Sequence, residues 1–192
     1  DVEEAVDRIV VATPKPTTMP TPTPEPLPYQ WSRINSAQFL QRDQITALVI
    51  HPTDPDIIYA GIYKSGIYKT IDGGISWFPI QQGLTRGWID NLIIDPQDPD
   101  TLYAGVILAG VYKTEDGGEN WHQLNINLDY YWHNTSHVFM DPAESTHLVY
   151  TSGWHIAESF DAGETWKVTG LGEMGISVPG VISSISVDPE TG

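Results

Sequence analysis

Short apolar runs alternate with turn-forming clusters along most of the chain, and no stretch sustains the i, i+3, i+4 spacing of an amphipathic helix. "ITALVI" (45–50), "IDNLII" (89–94) and "SHVFM" (136–140) each lead at once into a turn holding Pro and acidic residues. A second apolar run follows each turn and ends near Tyr59, Tyr103 or Tyr150. After a short loop comes a third run, and a fourth opens at Trp77, Trp121 or Trp166. Apolar runs this short, bounded by Gly, Pro and Asp, predict strands. The expected strands are 45–51, 57–63, 66–71, 76–80, 89–94, 101–107, 110–115, 120–124, 136–140, 147–152, 155–160, 165–169 and 181–187, with helix confined to residues 1–12.

The pattern repeats as a unit. "YKTIDGGISWFPI" (68–80), "YKTEDGGENWHQL" (112–124) and "AESFDAGETWKVT" (157–169) place Asp72, Asp116 and Asp161 at spacings of 44 and 45 residues. A period of about forty to fifty residues made of four strands is the size of one propeller blade. The units are 45–80, 89–124 and 136–169. "VISSISVDPETG" (181–192) matches the first strand and turn of a further unit. "YQWSRINS" (29–36) reads as an orphan fourth strand, because Trp31 stands 46 residues before Trp77. Such a terminal strand closes a ring that would otherwise keep an unpaired edge. Propellers close with about four to eight blades, so the repeats read as an N-terminal fragment of a larger propeller, or one completed by another chain.

Within each unit the Asp heads a tight turn, where its carboxylate accepts backbone N–H groups two or three residues on and Gly supplies the positive φ of the return. Thr or Ser two residues earlier bonds locally, and the Trp begins the last strand and buries its ring. Asp72, Trp77, Asp116, Trp121, Asp161 and Trp166 are therefore structural residues. Ser/Thr-x-Asp-x-Gly-x-x-Trp resembles the Asp-box, or BNR repeat, and three copies at blade spacing are similar to the Asp-box β-propellers. That resemblance covers about residues 30–192 and implies an all-β propeller of four-stranded blades. The family includes sialidases, the sortilin luminal domain, xyloglucan-active glycosidases, photosystem II assembly and stability factors and many bacterial surface proteins. The style of "YAG…GVYKTEDGGENW" is most similar to the assembly-factor, sortilin-like and generic bacterial branches.

Residues 1–28 are of another kind. "ATPKPTTMPTPTPEPLP" (12–28) is a Thr/Pro run that favours extended polyproline II and buries no core. "DVEEAVDRIVVA" (1–12) suits a short helix or a strand. The expected organisation is a stalk or linker over 1–28 and propeller blades over 29–192. A spacer feeding such a propeller suggests export to the periplasm, cell surface or medium, with the Thr residues open to glycosylation.

Charge narrows the partners. The net charge of −16 opposes nucleic acid and anionic membrane surfaces. No apolar run reaches the roughly 18–20 residues of a membrane span, and with no cysteine there is neither disulfide nor thiol chemistry. Many acids sit in the first turn of each unit: Asp54, Asp56, Asp95, Asp98, Asp100 and Asp141. A calcium site needs about six to eight converging oxygens, whereas Pro-interrupted turns recur because they reverse the chain. No metal or other cofactor is expected.

Residues outside the repeat carry the functional expectation. Of the seven Trp, Trp88, Trp132 and Trp154 have no place in the unit. With Arg86, Lys64, Tyr130, Tyr131, His133 and His155 they fall on the loops joining strands two and three or leading into the next unit, which share one end of the blades. Trp and Tyr beside His and Arg suit stacking on sugar rings or an interface hot spot; equally, they pack over blade ends, and Trp88, beside a strand, fits the core. Catalysis has less support. The resemblance to sialidases implies an arginine triad, yet only Arg8, Arg33, Arg42 and Arg86 are present, and "SRINS" (32–36) departs from the Arg-Ile-Pro element. A two-carboxylate glycosidase would draw on Asp90 or Asp129. The leading expectation is a non-enzymatic exported propeller that binds another protein or a glycan, or further blades or copies of the same protein; the alternative is a polysaccharide-active hydrolase.

Overall fold

A computed structural model describes residues 44–85, 87–126, 136–152 and 155–170, all within the unit Ile34–Gly192. Their strands are β1 (Ile45–Ile50), β2 (Ile58–Ile62), β3 (Gly66–Thr70), β4 (Phe78–Pro79), β5 (Trp88–Ile94), β6 (Leu102–Ile107), β7 (Gly110–Thr114), β8 (His122–Gln123), β9 (His137–Met140), β10 (Leu148–Ser152), β11 (His155–Ser159) and β12 (Lys167–Gly170). They form three four-stranded sheets, each in chain order, with every pairing antiparallel. No helix occurs among the described residues. The fold is the expected all-β one, three blades in succession; the strand expected at 181–187 lies outside the described residues.

Two expectations are corrected in detail. The fourth strands of the first two blades are two residues long, shorter than the expected 76–80 and 120–124. The backbone N–H of Ser76 and of Asn120 is held by the Asp72 and Asp116 carboxylates, so the ladder starts only after the Trp. The Tyr closing the second strand is also not equivalent in all three blades. Ala60 pairs with Tyr68 and Ala104 with Tyr112, whereas in the third blade Tyr150 pairs with Ala157. The large and small residues have exchanged strands, and the volume at that layer is kept.

The core lies in the seams between blades. Tyr59, Ile67 and Ile80 of the first blade meet Ile89, Leu92, Val106 and Trp121 of the second. Tyr103, Val111 and Ile126 of the second meet Val138, Leu148 and Tyr150 of the third. Gly105 lets the second seam close, because a Cβ there would lie 1.7 Å from the Ser136 carbonyl oxygen. On the corresponding flank of the first blade no described element forms a seam: Leu48 is 55% exposed, against 5% for its counterpart Leu92.

Candidate functional site

At the end of the blades that carries the turns after β1 and β3, the repeated motif forms one hydrogen-bond unit three times. Thr70, Thr114 and Ser159 each donate their hydroxyl to the Asp two residues on, at 2.7, 2.7 and 2.8 Å. The same hydroxyl accepts the N–H of Gly74, Gly118 or Gly163. Each carboxylate then accepts a backbone N–H four residues on, from Ser76, Asn120 or Thr165, and that residue's side chain as well. The expected reach of two or three residues thus extends to four: the Thr or Ser hydroxyl takes the Gly N–H two residues on, while the N–H three residues on, of Ile75 or Glu119, still helps to lower Asp72 and Asp116.

These bonds hold all three carboxyls at about 2. The largest cause is the side chain of Ser76 at Asp72, the backbone N–H of Asn120 at Asp116 and the side chain of Thr165 at Asp161. The turns also serve the seams. Lys69 Nζ, lying over the Tyr59 ring, donates to the Gly117 carbonyl at 3.0 Å, and the Tyr103 hydroxyl donates to the Ala162 carbonyl at 3.1 Å. Burial, then Asp100, pushes the Tyr59 hydroxyl up to about 12. The Trp rings differ from one another. Trp121 is buried, its indole N–H donating across the seam to the Ile80 carbonyl; Trp77 and Trp166 stay half-buried and donate to Gly74 and Gly163 of their own turns.

The opposite end carries the residues that lie outside the repeat. Trp88 opens β5 and is 40% exposed, so it is a strand residue at the rim and not a core one. Tyr63 approaches it with ring centroids 4.8 Å apart and planes tilted by 44°. Lys64 holds its ammonium 5.0 Å from the Tyr63 centroid and 5.7 Å from that of Trp88. A groove of about 310 Å³ lies on one side of Trp88, toward Lys64 and Gln81. A second, of about 520 Å³, lies on the other side, toward Leu108 and Gln123. Thr85 and Gly87 border both, and the Thr85 hydroxyl is 2.7 Å from that of Tyr112.

His155 opens β11 with its side chain exposed but lines neither groove. Arg86, Tyr130, Tyr131, Trp132, His133 and Trp154 lie outside the described residues, as does Asp129. Asp90 is engaged in the second seam: its Oδ2 accepts the Ser136 N–H at 2.7 Å and stands 3.6 Å from His137 Nε2. Beside it, the Asn91 amide bonds Val138 twice across the same seam. The turn acids cap their own turns in the same local way, as Asp95 does for Gln97 and Asp98 and Asp141 for Ala143. Tyr63 and Leu108 were not among the expected site residues. They occupy neighbouring positions of the turn after the second strand, and comparing that turn between units ("IYKSG" with "VILAG") is the signal that points to them.

No family model matches the chain, and no curated protein matches it. Solved structures do. An ancestral GH74 enzyme is similar at 16% identity and a TM-score of 0.57, over 64% of this chain and 18% of that one. YCF48 from Cyanidioschyzon merolae is similar at 16% identity and 0.50, over 66% and 37%. The WD40 repeats of RRP9 are similar at 15% and 0.52, over 67% and 39%. The matched region spans well under half the length of each. Together with the three successive sheets, these likenesses define the class: an all-β propeller of four-stranded blades.

Proposed function

We propose that this chain belongs to a non-enzymatic, exported propeller of the Asp-box type, a binding or assembly module that engages its ligand at the Trp88 end of the blades. The observation that carries the reading is Trp88 itself: a large ring 40% exposed on a rigid strand between two grooves. Loops and strand ends on a rigid scaffold are where sites sit, and exposed aromatic anchors dominate binding energy. The Asp-box assignment is supported by the threefold Thr/Ser–Asp–Gly hydrogen-bond unit. Because those turns are accounted for by folding, they are not assigned the ligand. Export is supported by the Thr/Pro run at 12–28 that leads into the blades. For the hydrolytic alternative, Asp90 is tied into a seam, and no observation favours that reading.

The test compares the wild-type chain with Trp88→Ala. Since Trp88 is a rim residue, the variant is expected to keep its melting temperature while losing about 2 kcal/mol or more of binding, roughly thirtyfold, for material captured on a peptide or glycan array. Unchanged capture by Trp88→Ala would remove this face as the site.

A further inference from the structure

The two grooves flanking Trp88 differ in chemistry, although they stand at equivalent places in successive blades. The turn between β2 and β3 and the turn between β6 and β7 have the same backbone. Each closes with an i to i+3 bond, from Ser65 N to Ile62 O and from Ala109 N to Val106 O, and each holds a non-glycine residue at positive φ, Lys64 at 64° and Leu108 at 66°. That shared strain belongs to the repeat and says nothing about function by itself. What differs is the side chain presented: an ammonium at the first groove, and at the second an isobutyl group that is 67% exposed.

Electrostatics sharpens the contrast. The chain carries 25 Asp and Glu among 192 residues, yet among the described residues none lines either groove, and Lys64 is the only charged one there. Among the described residues Lys64 has no carboxylate within ion-pair distance. Its contacts are the Tyr63 and Trp88 rings, which orient an ammonium without satisfying its N–H donors.

Resting on the binding reading above, we propose that the ligand is an extended peptide segment of a partner protein. It crosses Trp88 with one acidic side chain at Lys64 and one apolar side chain in the groove of Leu108 and Ile107. A carboxylate would supply the acceptor that no described residue offers the Lys64 ammonium, as a charge-assisted hydrogen bond. The second groove suits an aliphatic or aromatic side chain. An acidic polysaccharide fits less well, since it repeats its charge at every unit against a protein of net charge −16 and sets a polar ring on aliphatic groups that make no hydrogen bonds.

The test uses the 192-residue chain and an array of ten-residue peptides in a Gly/Ser background. Each peptide carries one Glu and one Leu, at separations of one to six residues and in both orders; a matched set has Gln for Glu, and acidic oligosaccharides are spotted beside them. At one separation and order, the Glu peptide is expected to bind about tenfold more tightly than its Gln partner. Lys64→Gln should abolish that preference, Leu108→Ser should weaken both peptides alike, and Trp88→Ala should weaken every bound probe. Equal binding of Glu and Gln peptides, or a Glu preference that survives Lys64→Gln, would overturn the peptide assignment. Oligosaccharide binding lost in Trp88→Ala, without peptide binding, would overturn it while sparing the binding face. If no probe on the array depends on Trp88, both readings fail.

Discussion

At the residue scale, the repeated turn divides its work between a buried hydroxyl and an exposed carboxylate. Thr114 is fully buried and its oxygen alone takes the Gly118 N–H. Thr114→Val leaves that donor without an acceptor and is expected to lower stability in urea by about 1–3 kcal/mol. Thr114→Ser should be near neutral, because Ser159 already does the same work in the third blade. The carboxylates act through pH. Each of the three is lowered from 3.8 to about 2, so the stability each contributes is fully present above pH 3.8 and is lost as the pH falls through about 2. Replacing all three with Asn should flatten the fall of stability between those values, as measured by acid titration of the melting temperature. An unchanged acid limb would mean that these groups are not the ones protonated on unfolding.

At the element scale, the informative feature is the exchanged pair. Tyr112→Ala alone should cost about 3–5 kcal/mol, and Ala104→Tyr alone about 1–3 kcal/mol by overpacking. The double variant recreates the order of Tyr150 and Ala157 and should cost less than the sum, with a coupling of roughly 0.5–3 kcal/mol. Additive costs in a double-mutant cycle would show that the third blade reached its order by other compensations. This element also marks where the sequence ceases to be legible. The strands could be read from apolar runs because those runs bury against neighbouring sheets and the turns between them are chemically explicit. The position of Tyr150 could not, because "LYAG" and "VYTSG" look alike until the register is known, and a one-residue slip moves a ring to the other face. The exposure of Trp88 was hidden for a related reason: a Trp at the head of a strand is compatible with either the core or the rim until the neighbouring blade is placed.

At the scale of the whole molecule, the seams carry the stability and the Trp88 end carries the proposed function. Leu92 in the first seam and Leu48 on the first blade's flank hold the same place in their blades, at 5% and 55% exposure. In the 192-residue chain, Leu92→Ala should cost about 2–5 kcal/mol, while Leu48→Ala should stay within about 0.5 kcal/mol. Equal costs would show the first blade's flank to be covered. The division between seams and site is tested most directly by hydrogen exchange on the intact protein with and without its bound partner. The account predicts new protection at residues 63–65, 81–85, 87–89 and 107–109, with the turns at 71–76 and 115–120 unchanged. Protection confined to those turns, with Trp88 and its grooves exchanging as before, would contradict it.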